Sequence, residues 1–191
     1  DLHFYASLSV TQQMLDFTHK ALKEFKAEKP LWVTETTQVG MFDPDDANQA
    51  SYLFKRYTHL LANGVQVVFW HALRWPYPYE QDKTQATALV DYDGFARPSL
   101  FAFAAMTREF EGARFARRWN LGPEMYALEF SRGKRSLLAL WTEGDPREVS
   151  ITVLPGQAFA IRPTGRKSPV FSDHGTLRLT ATRESVILDL P

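Results

Sequence analysis

The sequence contains no cysteine, so disulfides, thiolate zinc sites and cysteine nucleophiles are excluded and the redox compartment is left open. It has no surplus of charge of either sign, with 22 Lys plus Arg against 22 Asp plus Glu. Lacking a net field to draw in phosphate backbones or anionic lipid, it is not expected to partner nucleic acid or a membrane surface. No apolar run approaches the roughly 20 residues a bilayer crossing needs, and no charged-then-apolar leader opens the chain; neither a span nor an export signal is expected. An initiator Met is also missing. The chain opens at Asp1 and runs straight into the apolar stretch Leu2-His3-Phe4-Tyr5-Ala6, as a piece of something longer would.

What is present suffices for a folded protein. A chain of 191 residues, 45% hydrophobic, can bury one large core or two small ones. Five Trp, seven Tyr and fourteen Phe are the one compositional bias. Aromatics dominate core energetics, so most belong inside, but some fall in loop-like stretches where they can stack on a ligand.

Residues 1–112 alternate short apolar β-type runs with longer amphipathic ones, the pattern of βα units and a parallel sheet. The first unit pairs Leu2–Ala6 with a helix expected to be capped by Ser9 or Thr11, to bury Met14, Phe17, Leu22 and Phe25, and to end at Pro30. The second has the strand Leu31–Glu35, a loop with Gly40 and Pro44, and a helix from about Asp45 that turns Tyr52, Leu53, Tyr57, Leu60 and Leu61 inward and stops at Asn63-Gly64. The third strand, Val65–Trp70, is almost wholly apolar and is expected to be covered on both faces. A long loop with Trp75-Pro76-Tyr77-Pro78-Tyr79 follows, then a short strand Ala88–Asp91, a turn Tyr92-Asp93-Gly94, and a helix from Pro98 to Phe110. Beyond Gly112, alternating runs at 125–130, 136–141, 149–153, 158–161, 176–179 and 186–190 predict an antiparallel sandwich. The expected fold class is therefore α/β plus all-β: a partial (β/α) barrel of about three units over 1–112, then a β-sandwich over 113–191.

The chemistry-bearing feature is Trp32-Val33-Thr34-Glu35-Thr36, a carboxylate at the C-terminal end of a buried parallel strand. In a β/α barrel that end is where active sites are built. A strand-end Glu can also be an ordinary ion-pair partner, and a strand His or Tyr a satisfied core residue. Here, however, His3-Phe4-Tyr5 stands one strand earlier and Phe69-Trp70-His71 one strand later, so three consecutive strand ends carry groups able to meet in one cavity. The Arg74–Glu80 loop is stiffened by two prolines, and Trp75 and Tyr77 are candidates for its ligand-facing wall or for packing beneath it. Asp43, Asp45 and Asp46 read as acids at a helix start, and Asp91, Asp93 and Gly94 as turn residues.

The series Asp1-x-His3-x-Tyr5, Pro30-Leu31-Trp32-Val33-Thr34-Glu35-Thr36, Phe69-Trp70-His71 and Leu89 to Ser99 resembles strands six to eight and the last helix of clan-A retaining glycoside hydrolases. The similarity is closest to the β-xylosidase and α-iduronidase group, whose barrel is followed by a β-sandwich. The resemblance implies that Glu35 is the nucleophile, that Tyr5 and His3 hydrogen-bond the nucleophile and the sugar, and that Trp70 floors the subsite of the sugar to be cleaved. His71, Trp75 and Tyr77 are further candidates for substrate contact. No metal or cofactor is implied; only His3 and His71 would qualify as barrel metal ligands.

The resemblance is incomplete. The clan's acid/base is a Glu, usually after an Asn, at the end of strand four, and no Asn-Glu pair occurs in this sequence. Strands one to five have no counterpart. The chain thus supplies half of a catalytic pair, and its carbohydrate substrate would have to meet the missing barrel half in another chain, or in copies self-associated through the exposed sheet edges. The competing expectation is a non-catalytic carbohydrate-binding or structural fragment, with Trp119, Trp141 or Phe159 as possible sugar contacts.

Overall fold

β-Branched and aromatic runs form the strands where the sequence concentrates them. β1 (Leu2–Phe4), β2 (Leu31–Thr36) and β3 (Val65–Trp70) lie parallel in the order β1-β2-β3. Parallel neighbours need crossovers, here α1 (Leu8–Glu24) and α2 (Asp46–Ala62). The computed structural model describes residues 2–27, 29–37, 46–78, 80–82 and 87–191. Gly40, Asp43, Pro44, Asp45 and Tyr79 lie outside these residues, as does the side chain of Asp46.

α1 begins earlier than expected and buries a different face. Its N-cap is Ser7, whose hydroxyl accepts from the Val10 N–H. The buried stripe is Leu8, Thr11 and Leu15, with Leu22 packed beside the same core. At 3.6 residues per turn, Leu22 falls within about 40° of Leu8 and Phe17 on the opposite side. Met14, Phe17 and Phe25 are accordingly 43%, 73% and 78% exposed. Two apolar stripes compete along this helix, and the one able to reach Phe4, Leu31, Val33, Leu60 and Val65 is buried. α1 also ends at Glu24, well before Pro30. α2 stops where expected: Gly64 adopts φ +80° and the Asn63 amide caps the His59 carbonyl at 2.8 Å.

The helices cover one face of this sheet. On the other, Trp32 is 48% and Phe69 51% exposed, so β3 is not buried on both sides as its apolar run suggested. The stretch Ala88–Asp91 forms no strand; Val90 makes only single bridges to Arg74 and Ala96. Asp91 closes the following turn, its carboxylate accepting from the Phe95 N–H at 2.7 Å.

α3 (Pro98–Phe110) precedes β4 (Arg114–Arg118), β5 (Met125–Arg132), β6 (Arg135–Thr142), β7 (Arg147–Thr152), β8 (Ala158–Ile161), β9 (Lys167–Val170), β10 (Thr176–Ala181) and β11 (Val186–Leu190). These strands make an antiparallel six-stranded sheet, β4-β5-β6-β11-β8-β9, and a two-stranded β10-β7 pair. Period-two alternation sends Leu138, Leu140, Val186 and Leu188 to a core shared with Ile151 and Leu177 of the pair. Leu137, Ala139, Trp141 and Ile187 alternate with them and are also buried, so β6 and β11 have no solvent face. Helical side chains meet the sheet: Ser51 accepts from the Ser185 N–H at 2.9 Å, Phe110 packs edge-on to Phe130, and Lys55 reaches Glu143 at 3.1 Å. Burial lowers the Lys55 pKa, with Glu143 opposing that shift, and pushes the Tyr52 hydroxyl up to about 12 despite a hydrogen bond from Arg56 at 2.7 Å.

Among the described residues the chain therefore has three helices and eleven strands in three sheets. It divides into two compact units, Asp1–Asp45 with His59–Arg97, and Asp46–Thr58 with Pro98–Pro191. α3 and most of α2 belong with the strand-rich unit, and position 112 lies in the link between α3 and β4.

Candidate active site

Because β1, β2 and β3 run parallel, their C-terminal ends share one edge of the sheet, and the residues at those ends become neighbours. His3 is paired in register with Glu35. Tyr5 follows two positions later, and His71 comes directly after β3. Strict alternation from Leu31 and Val33 would send Glu35 toward the helix-packed face. The β2–β3 register shifts between Val33 and Thr36, at the point where the side chain must change direction to leave that face.

The Glu35 side chain is 32% exposed, neither sealed under a helix nor free in bulk solvent. Its Oε1 accepts a hydrogen bond from the Tyr5 hydroxyl. The Nδ1 atoms of His3 and His71 stand 3.6 Å from Oε2 and 3.9 Å from Oε1, beyond direct hydrogen-bond reach but within ion-pair distance. Among the described residues Oε2 accepts no hydrogen bond, so one oxygen is anchored and the other is available. The strand ends are tied together beneath it: the Thr36 hydroxyl donates to the Phe4 carbonyl at 2.6 Å, and the His71 N–H to the Thr36 carbonyl at 2.8 Å. The His71–Ala72 peptide is cis.

The remaining candidates are placed less uniformly. Trp70 is buried at 8% exposure, its indole N–H donating to the Thr87 carbonyl at 2.8 Å. Trp75 stands edge-on to His71 with ring centres 5.0 Å apart, and its N–H donates to Asp82 at 2.8 Å. Tyr77 is 53% exposed. Asp82, which orients Trp75 from seven residues away in a loop, had no signal in the sequence. Among the described residues no group of three or more His, Asp or Glu side chains is placed to hold an ion.

In the strand-rich unit Trp141 is fully buried, stacked on Tyr126 at 4.8 Å with the rings 6° from parallel. It is closed to any sugar. Trp119 donates to Glu129 at 2.8 Å and lies under the Arg117 guanidinium, and Phe159 lies under Lys167. Burial alone would raise the Glu129 pKa, but hydrogen bonds from Arg117, Trp119 and Ser136 outweigh it and hold the carboxyl below its usual range.

No family model and no curated protein matches the sequence. Solved structures do resemble it. A family 39 glycoside hydrolase from Bacteroides cellulosilyticus WH2 superposes with a TM-score of 0.74 at 20% identity, over 94% of this chain and 37% of that one. A 4-O-α-L-rhamnosyl-β-D-glucuronidase from Fusarium oxysporum 12S gives 0.64 at 13%, over 99% and 52%. A family 30 endoxylanase from Clostridium papyrosolvens C71 gives 0.62 at 11%, over 89% and 44%. The chain thus spans about half or less of the length of each of these structures. Its fold is that of part of a glycoside hydrolase.

Proposed function

We propose that this chain carries the nucleophile of a retaining glycoside hydrolase, Glu35, at the C-terminal mouth of a partial (β/α) barrel followed in sequence by a β-sandwich. The observation that carries the proposal is the carboxylate itself: it sits at a parallel-strand end, is anchored through one oxygen by Tyr5, and is flanked by His3 and His71. A retaining glycosidase sets two carboxyl groups about 5–5.5 Å apart; one attacks the anomeric carbon while the other protonates the departing oxygen. Glu35 fills the first role, its available oxygen forming the ester as the glycosidic bond breaks. Tyr5 keeps that oxygen aimed, His3 and His71 offer polar contacts to the sugar, and Trp70 is the wall beneath it. Trp75 and Tyr77 form the rim. The family 39 glycoside hydrolase, the glucuronidase and the family 30 endoxylanase that the chain resembles support this assignment at the level of fold.

The proton donor is not in the sequence, and without it general acid assistance of about 10²–10⁴-fold is lost. A substrate that needs no such assistance is therefore the right probe. A 2-fluoro-glycoside with an activated leaving group should add its sugar mass to Glu35; Glu35→Gln should abolish the adduct, and Tyr5→Phe should slow it about tenfold through loss of the aiming hydrogen bond. An adduct on any other carboxylate overturns the assignment. The alternative of sugar binding by the strand-rich unit loses its main candidate with the burial of Trp141.

Catalysis on this scheme needs the rest of a barrel. Among the described residues β1 and β3 are edge strands, and Trp32 and Phe69 are exposed beside them. Such edges and faces drive association. We propose that copies pair through them unless another chain completes the sheet. Light scattering on dilute protein should give a mass above the 21.9 kDa of one chain, and a monomeric mass counts against self-association.

A further inference from the structure

The main chain at His71 is fixed on both sides. Its N–H donates to the Thr36 carbonyl at 2.8 Å, and the Ala72 carbonyl that follows accepts from the Leu89 N–H at 3.0 Å. The imidazole is not fixed in that way. With Nδ1 3.9 Å from Glu35, it makes no hydrogen bond among the described residues. Staggered side-chain rotamers lie about 120° apart, and a change of well would swing the ring nitrogens away from the carboxylate. What restrains the ring is Trp75, packed edge-on with ring centres 5.0 Å apart and planes at 80°.

Trp75 in turn has little core around it. Leu73 and Tyr77, near it in sequence, are both exposed. Its anchor is Asp82, which a turn delivers: the Pro78 carbonyl accepts from the Gln81 N–H at 3.0 Å and from the Asp82 N–H at 3.1 Å, folding the loop back. The Asp82 carboxylate then accepts from the indole N–H at 2.8 Å. A hydrogen bond to an ionised acceptor is about twice as strong as a neutral one. The indole has no other donor, so this bond sets the plane of the ring.

Trp70 shows the contrast. Its indole is buried and donates to a backbone carbonyl, that of Thr87 at 2.8 Å, so packing and main chain hold it without help from another side chain. Trp75, only partly buried, takes a carboxylate from seven positions along the loop. Asp82, Trp75 and His71 thus form a line of contacts that ends 3.9 Å from Glu35.

We propose that Asp82 is a positioning residue for the reaction at Glu35: it holds the Trp75 indole, and the indole holds the His71 ring beside the carboxylate. In this role Asp82 touches neither the sugar nor the nucleophile. Its effect on rate rests on the nucleophile assignment above; its effect on the His71 ring does not.

Two measurements on the 191-residue chain test it. One is the NMR spectrum of the histidine rings, with His71 assigned through His71→Gln, because the ring current of an adjacent indole displaces its signals. The other is the rate at which an activated 2-fluoro-glycoside labels Glu35. Asp82→Ala should move the His71 signals toward their place in Trp75→Leu and slow labelling about fivefold. Asp82→Asn, whose amide oxygen still accepts the indole N–H, should restore most of both. With Trp75→Leu already present, Asp82→Ala should change neither any further. His71 signals unmoved in Asp82→Ala, labelling at the parent rate once they have moved, an Asp82→Asn protein as slow as Asp82→Ala, or additive slowing in the double variant overturns the proposal. A parent protein left unlabelled at Glu35 removes the nucleophile instead. The ring signals then decide by themselves whether Asp82 positions His71.

Discussion

Replacing Trp141 by Ala should lower the free energy of unfolding by about 3–5 kcal/mol, the range for deleting a large buried aromatic. The indole is 0% exposed, lies flat against Tyr126, and donates from its N–H to the Glu143 carboxylate at 3.0 Å. The same oxygen accepts from Lys55, whose side chain is only 8% exposed. Truncation leaves a cavity on a face of β6 and removes one donor, but Lys55 and Glu143 still have each other, so most of the loss is packing. Trp141→Phe makes the division visible. It keeps an aromatic plane against Tyr126 and loses the N–H, so about 1–2 kcal/mol should be lost instead. Urea titrations of the three proteins give the comparison, and a Trp141→Ala midpoint equal to the parent's would mean that the indole is not packed as described.

The second large effect should come from Asp189. Its carboxylate lies on β11 with 6% side-chain exposure and accepts from Arg135 at 2.5 Å and from Lys167 at 2.7 Å. Arg135 also donates to the Asp189 carbonyl at 3.1 Å, so the two strands are clamped twice. Nearby, buried Glu109 holds Arg132 at 2.9 Å and Arg108 at 2.8 Å. Neutralising one partner of a buried pair costs about 3–5 kcal/mol, because the other charge is left uncompensated. Arg135 and Lys167 keep 38% and 33% exposure and can recover water, so Asp189→Asn should fall near the low end, about 3 kcal/mol.

Acid should have a related effect. Burial alone would raise the Asp189 pKa, but hydrogen bonds from Lys167 and Arg135 and their charges hold it below the usual carboxylate range. A depressed folded-state pKa means that the unfolded chain takes up the proton first as pH falls. The contribution is then fully present above the unfolded value of about 3.9 and is lost as pH drops through the lower folded value. Glu129, depressed for the same kind of reason, adds to the slope. Unfolding free energies measured from pH 7 to pH 2 should fall more gently in Asp189→Asn than in the parent, and parallel curves would show that the carboxylate is not part of the acid response.

How much of this could be read in the sequence depends on how far apart the partners are. The neighbours of Glu35 were legible because parallel strands place successive strand ends side by side, so a His, a Tyr and a second His at those ends had to meet the carboxylate. Strand and helix limits were legible where one pattern dominated: α3 spans Pro98–Phe110 and β3 Val65–Trp70, as their runs indicated. α1 was misread because its sequence holds two apolar stripes and only the sheet decides between them. β4 and β9 were missed because both are edge strands. Edges carry charge and proline as protection against further pairing, and Arg114, Arg117, Arg118 and Pro169 are of that kind. The Asp189 clamp joins residues 54 and 22 positions apart, and no local pattern signals it.

The strand-rich unit takes Asp46–Thr58 from one part of the chain and Pro98–Pro191 from another, and Ser51 is joined to Ser185 across 134 positions. As the chain leaves the ribosome, that stretch of α2 must wait, its inward side uncovered, until the strands leading to Ser185 have been made. Closing so distant a contact is slow, and the delay exposes Leu53, Phe54 and Tyr57 to chaperones or to neighbouring nascent chains. No single cut yields this unit whole, so a version made by trimming the chain to residues 98–191 would emerge without the helix that seals it.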